Sequence, residues 1–303
     1  MVKDRFFAYI QFEKRYSPHT VTAYRNDLAQ FYDYLSVQFG MVDIRDVTHP
    51  LIRSWVVHMM EQGITPRSVN RKLTTLKSYY RFLIREGVVM ENPMRKITSP
   101  KDSKRLPVFL EQGQMHDLLD ELEFDPGFPG LRDRMIIEMF YATGIRLSEL
   151  VMMKESDLDF HHCTVKVLGK RNKERLIPFS TKIKDLLHYY MEERSGFIRK
   201  KPVIANTKEE KPTHLFLTDS GRNIYPKMVY RIVNRYLSEV TTLKKRSPHV
   251  LRHTFATHLL NNGAELNAVK ELLGHANLSA TQVYTHNTIE KLKKVYKQAH
   301  PKA

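Results

Sequence analysis

Apolar residues recur at alternating spacings of three and four through roughly the first ninety positions, the period of helices that bury one stripe. Val21, Tyr24, Leu28, Phe31 and Leu35 form one stripe. Ser17-Pro18 opens it, an N-cap followed by proline at the first helical position. A helix starting near Thr48 should stop at Gly63, where a left-handed residue ends the last turn. Thr65-Pro66 starts another, with Val69, Leu73, Leu76, Tyr80 and Leu83 on its buried face and Gly87 at its end. With a short helix from about Asp4 to Lys14, the pattern predicts a small four-helix bundle.

The rhythm then stops. Glu91-Asn92-Pro93 halts the helix, and Ser99 to Pro107 is rich in proline and basic residues without periodicity, as an exposed tether is. Residues 1–97 are read as one helical domain, 98–106 as a linker and 107–303 as a second domain. Leu131, Met135, Ile136, Met139 and Phe140 mark a buried helix ending near Gly144. Cys163 to Leu168 alternates, GKRNKE makes a turn, and Arg175 to Pro178 is extended, which predicts a β-hairpin. Helices follow near 181–193, Tyr225 to Val240, Ser247-Pro248 to Gly263, and Glu265 to Leu273, with a short strand at His214 to Thr218. The fold class is mainly α, with a small antiparallel sheet in the second domain.

Composition adds a partner. The 303 residues carry 49 Lys+Arg against 33 Asp+Glu, a formal net charge of +16. Such a surplus, shared by both halves, predicts attraction to a polyanion, either nucleic acid or an acidic membrane surface. Ordinary solubilising charge is the bland alternative. Hydrophobic residues make up 42% of the chain, enough to bury real cores. Cys163 is the single cysteine, so an internal disulfide and a Cys-rich zinc finger are excluded, as suits a reducing compartment. The start of the chain lacks a signal-peptide pattern, and no stretch approaches about 18 uninterrupted apolar residues. A cytoplasmic protein without a membrane partner is expected.

The charge is also patterned. The helix after Thr65 carries Arg67, Arg71, Lys72, Lys77 and Arg81, mostly away from its apolar stripe. They form either a solvated face or a row of contacts to DNA phosphates. In the second domain Arg146 follows a Thr-Gly turn and opens a helix, where backbone N–H groups and the dipole favour an anion. His249 and Arg252 are three apart on one helix face. His275 directly follows the helix-ending Gly274, and Tyr284 comes nine residues later. Lys170 sits in the hairpin turn, with Lys173 as a competitor. Two arginines can grip a phosphate bidentately, and a tyrosine hydroxyl can attack it and hold it covalently. His249 and His253 lack a third ligand and a His-Glu-x-x-His pattern, so no metal is expected. No phosphate-binding Gly-x-x-x-x-Gly-Lys-Ser/Thr loop is present and no nucleotide cofactor is expected.

Each residue alone is weak. Their joint order, in ATGIRLSELVMM, LGKRNKERLIPF, SPHVLRHTFATHLLNNG and VKELLGHANLSATQVYTH, resembles the tyrosine recombinase (phage integrase) family. The helical SPHTVTAYRNDL region is similar to that family's SAM-like core-binding domain, and the whole chain looks most like the Xer branch. The resemblance implies a two-domain C-shaped clamp around duplex DNA. Arg146 and Arg252 would hold the scissile phosphate, and Lys170 would protonate the leaving 5′ oxygen. His249 would move the nucleophile's proton, His275 would support the transition state, and Tyr284 would form a 3′ phosphotyrosine without ATP or metal. Arg171 departs from the glycine common in that turn. The implied assembly is a homo- or hetero-tetramer on a recombination site, with a second Xer recombinase and a septal DNA translocase as further partners. The tail 288–303, with Ile289, Leu292 and Val295 at helical spacing, either packs on its own domain or docks on a neighbour; the resemblance favours the neighbour. The implied role is resolution of chromosome dimers. Rivals are a mobile-element integrase, a type IB topoisomerase and an architectural DNA-binding protein.

Overall fold

A computed structural model describes residues 2–40, 43–102, 108–169, 174–200, 212–274 and 286–303, the side chains of 286–288 aside. The chain divides into two compact units, Met1–Arg105 and Leu106–Ala303. The fold is mainly helical with one small antiparallel sheet.

The first unit holds α1 (Val2–Ala8), α2 (Pro18–Phe39), α3 (His49–Glu61) and α4 (Pro66–Arg85). The Ser17 hydroxyl accepts from the Thr20 N–H at 3.3 Å and the Thr65 hydroxyl from the Ser68 N–H at 3.4 Å, so both expected caps form. The first helix is shorter than its sequence suggests and runs into a widened π turn, Tyr9–Glu13. Phe6, Leu28, Phe31, Trp55, Leu73, Tyr79 and Tyr80 fill the core. One polar node is buried there. Asp27, 2% exposed, accepts from Arg71 at 2.5 and 2.7 Å, from Lys72 at 3.3 Å and from Thr75 at 2.8 Å. These bonds tie α2 to α4.

The second unit is built around α6 (Gly127–Thr143), in which every residue from Met135 to Thr143 is buried. A helix apolar all round needs cover on all sides, and α8 (Thr181–Arg199) and α10 (Pro248–Asn261) supply much of it. Around them lie α5 (Gln112–His116), α7 (Leu147–Met152), α9 (Pro226–Val240), α11 (Leu266–Leu273) and α12 (His286–Ala299). The sheet has the order β1-β2-β3, with β1 (Leu158–Asp159), β2 (Thr164–Leu168) and β3 (Glu174–Pro178) all antiparallel. Val165 faces Ile177 and Val167 faces Arg175. That register puts Val165, Val167, Arg175 and Ile177 on the buried side.

Two expectations are corrected. His214 to Thr218 is not a strand, and only the single bridge Leu217–Asn223 forms. Its backbone is satisfied elsewhere. The Leu215 N–H donates to the Met153 carbonyl at 2.7 Å, while Tyr190 and Arg194 donate to the carbonyls of Leu215 and His214 at 3.1 and 2.7 Å. Second, α8 runs past residue 193 through Ser195-Gly196. Buried Arg194 pairs with Glu155, and Phe197 stacks on Phe128 at 4.2 Å, so tertiary contacts override weak helix formers. Within the single chain the tail seats on its own unit. Leu292, Tyr296 and Ala299 are each 3% exposed within its core. His300 Nε2 donates to the Tyr141 carbonyl at 3.0 Å, and Asn262 donates to that of Ala299 at 2.8 Å.

Candidate active site

The site grows from the ends of four helices. Gly144 closes α6 in the left-handed conformation, φ +58°, and a Cβ there would enter the Phe255 ring. Only glycine suits both demands. The chain then turns so that Arg146 caps α7. The Arg146 N–H donates to Glu149 Oε2 at 2.7 Å and its guanidinium to Glu149 Oε1 at 2.8 Å. The N-cap N–H of α7 is thus satisfied by an internal carboxylate. Arg146 keeps a side chain 26% exposed.

Glu149 is shared. Arg175, 4% exposed on β3, grips both its oxygens at 2.8 Å each. Burial alone would raise this carboxyl, but the Arg175 and Arg146 hydrogen bonds outweigh it and bring the pKa down to about 2. Arg252, in the second turn of α10 and 7% exposed, donates to the carbonyls of Gly144 and Leu273, the latter at 2.6 Å. Arg175 Nε reaches the Leu272 carbonyl at 3.0 Å, and Arg146 Nη2 that of Gly274 at 3.0 Å. Three successive carbonyls at the end of α11 therefore each receive a different arginine. Those carbonyls lack intrahelical partners and sit at the negative end of the helix dipole.

The charge does not balance. Burial, then the positive Arg146 and Arg175, pull the Arg252 pKa down to about 9, with Glu149 the opposing influence. Three guanidinium groups stand against one carboxylate, so the cluster favours an anion from outside. The opening is a pocket of about 270 Å³ lined by Ile145, Arg146, Leu147, Tyr230, Lys245, Ser247, Pro248, His249 and Arg252. Partial burial, then Arg252, Lys245 and Arg146, hold the His249 pKa below its ordinary value. The imidazole is thus neutral near pH 7 and able to accept a proton.

Arg146, His249 and Arg252 line one pocket. Lys170, Arg171, Lys173, His275 and Tyr284 lie outside the described residues. Among the described residues no group of His, Cys, Asp and Glu could hold a metal ion; His253 instead meets the edge of Phe109, ring centroids 6.4 Å apart. Sequence reasoning missed Glu149, Arg175, Tyr230 and Lys245. Two signals were available. Glu149 is three residues after Arg146, the reach of a capping carboxylate, and Arg175 shares the inward parity of Ile177.

On α4, Arg67 and Arg81 are exposed and Lys77 is half-buried. Lys72 is not on the outer face: it is 6% exposed, with its ammonium held by Asp27 and Gln30. Arg71 is half exposed, but both its terminal nitrogens are bound to Asp27. No helix among the described residues is long and apolar enough to cross a membrane.

A buried surplus of guanidinium charge opening on one pocket, in a mainly helical unit with a small sheet, defines a protein built to hold a phosphate-like anion. The Phage integrase family model matches residues 108–291, and that of the phage integrase N-terminal SAM-like domain matches residues 4–87. The chain belongs to the phage integrase family, the site-specific tyrosine recombinases. It is 41% identical to the tyrosine recombinase XerC of Oceanobacillus iheyensis, over 99% of this chain and 96% of the relative. The XerC of Pelotomaculum thermopropionicum is 39% identical, over 99% and 98%. In fold it is similar to the XerH site-specific recombinase bound to palindromic difH substrate, with TM-score 0.69, 20% identity, and 93% and 77% of the two chains covered. The Tn1549 transposon integrase in complex with circular intermediate DNA gives TM-score 0.66 and 22% identity, over 95% and 97%.

Proposed function

We propose that this recombinase acts on duplex DNA at a chromosomal recombination site, joining itself to one strand through Tyr284. The buried excess of guanidinium over carboxylate carries the reading. Arg146 and Arg252 would neutralise the scissile phosphate and the further charge that develops on its oxygens. His249, kept neutral by burial and its cationic neighbours, would take the phenolic proton as Tyr284 attacks phosphorus. The 3′ phosphotyrosine bond forms as the bond to the 5′ oxygen breaks, and Lys170 would supply that oxygen's proton. His275 would support the same phosphate. The phosphotyrosine conserves the bond energy, so rejoining needs no ATP.

Near full-length similarity to relatives named XerC, at 36–41% identity, supports the Xer role: resolution of chromosome dimers during cell division, in the cytoplasm. A homo- or hetero-tetramer on DNA, with a second Xer recombinase and a septal translocase as partners, belongs to that role. Arg67, Lys77 and Arg81 of α4 would lie on phosphates of the same duplex. Any docking of the tail on a neighbour must first release Leu292, Tyr296 and Ala299 from their own core.

A nicked suicide duplex tests the chemistry. Wild type should leave a covalent protein–DNA adduct and Tyr284→Phe none. Adduct from the variant would remove Tyr284 as nucleophile. Running the assay on chromosomal sites and on mobile-element ends separates the Xer role from that of an element integrase.

A further inference from the structure

Arg175 is among the most heavily committed side chains of the site, yet it lines no part of the pocket. Its two terminal nitrogens span the Glu149 carboxylate at 2.8 Å each, and Nε reaches the Leu272 carbonyl at 3.0 Å. Each of those partners leads to a clamp arginine. Glu149 also holds Arg146, while the carbonyls after Leu272, those of Leu273 and Gly274, hold Arg252 and Arg146. Gly274 fits this frame closely. At φ +64°, a Cβ on it would lie 3.0–3.1 Å from the Arg175 side chain.

On the recombinase reading above, we propose that Arg175 is a positioning residue for the phosphate clamp. It locks the end of α11 to Glu149, and so fixes where Arg146 and Arg252 present their remaining N–H groups. A planar fork bound on two edges can do this, whereas a lysine ammonium cannot span the same partners.

The test is single-turnover cleavage of the suicide duplex by Arg175→Lys, Arg175→Met and Gly274→Ala in the full chain, with DNA affinity from gel shift. Cleavage at saturating enzyme should fall about 10²-fold for both Arg175 variants, the size of losing one charge-stabilising donor. Affinity should stay within about threefold, because most of the binding charge lies elsewhere. A second substrate carries a methylphosphonate at the scissile position. It removes the phosphate's negative charge, so the demand for a well-placed clamp shrinks. The deficit relative to wild type should narrow at least about tenfold on it.

Wild-type cleavage by Arg175→Lys, or an equal deficit on both substrates, would overturn the proposal, the second by reducing Arg175 to general scaffolding. Should Arg175→Met fail to fold, Gly274→Ala decides. It keeps every charge and crowds the guanidinium, and must show the same substrate-dependent deficit in milder form. Adduct formation by Tyr284→Phe would instead bring down the recombinase reading, whatever the Arg175 variants do.

Discussion

An arginine in this site acts through both its charge and its shape, and the two can be separated. Arg252 joins the end of α6 to the end of α11 through the carbonyls of Gly144 and Leu273. Arg252→Lys keeps a cation but cannot reach both. Cleavage of the suicide duplex should therefore drop about 10²-fold, while gel-shift affinity changes little. His249 offers a second measurement. Burial and positive neighbours lower its pKa, so it stays neutral until the pH falls below its ordinary value of about 6.5. If it takes the Tyr284 proton, kcat/KM should be flat near neutrality and decline only on acidification below that value. The pH profile of kcat/KM reports the free enzyme. His249→Gln should lower the plateau and abolish the acid limb; a surviving limb would assign the titration to another group.

At the scale of elements, the tail helix contributes to stability. Residues 288–303 put Leu292, Tyr296, Ala299 and His300 into the core of the second unit. Losing one such large side chain typically costs about 2–5 kcal/mol. Deleting the segment should therefore lower the melting temperature of the unit by calorimetry, beyond any effect on assembly. The seat is also acid-sensitive. His300 Nε2 donates to Tyr141, and Nδ1 accepts from the Lys302 N–H at 3.1 Å, so the buried ring must be neutral. Burial leads the causes that bring its pKa to about 4. An unfolded chain binds this proton near pH 6.5, so stability is full above that pH and drains away as pH falls toward 4. His258, lowered by burial, adds to the trend, while buried Glu138, raised by burial, opposes it. Melting curves between those limits should show a weaker acid decline in His300→Asn than in wild type.

The same scale shows why some elements were legible and others were not. Ser17-Pro18, Thr65-Pro66 and the stripes behind them act locally, through a cap and a period, and α2 and α4 formed as read. The hairpin β2–β3 followed from alternation. His214 to Thr218 failed because His214 and Leu215 take backbone partners from Met153, Tyr190 and Arg194, distant in sequence, while Phe216 and Thr218 pair only across a tight turn with Ile224 and Arg222. In the site, Arg146, His249 and Arg252 were visible through an ordered motif. Arg175 carried only its parity with Ile177, a weak mark in a strand of five residues, and β2 fixes that this face is buried. Lys72 failed for a related reason. It sits at the edge of the apolar stripe of α4, and only Asp27 on α2 turns it inward.

Over the whole molecule, the net charge of +16 divides into charges free to meet DNA and charges spent inside the fold. Binding to DNA releases counterions, and log K falls with log salt by about 0.9 for each phosphate neutralised. The slope therefore counts free contacts, while a melting curve reports the internal ones. Arg67, Lys77 and Arg81 share one outward strip of α4 and have no ion-pair partner among the described residues. Arg67→Gln, Lys77→Gln and Arg81→Gln should each weaken binding at every sequence and flatten the salt slope by about 1, with little change in melting. Lys72→Met should do the reverse. Its ammonium faces buried Asp27, which keeps Arg71 and Thr75 when Lys72 is removed, so the loss should be that of a charged hydrogen bond, about 1.5–3 kcal/mol. The first unit should lose stability while the salt slope of the folded protein is unchanged. A slope that falls by about 1 in Lys72→Met would mean that the ammonium leaves Asp27 on the duplex, and that this node opens when DNA binds.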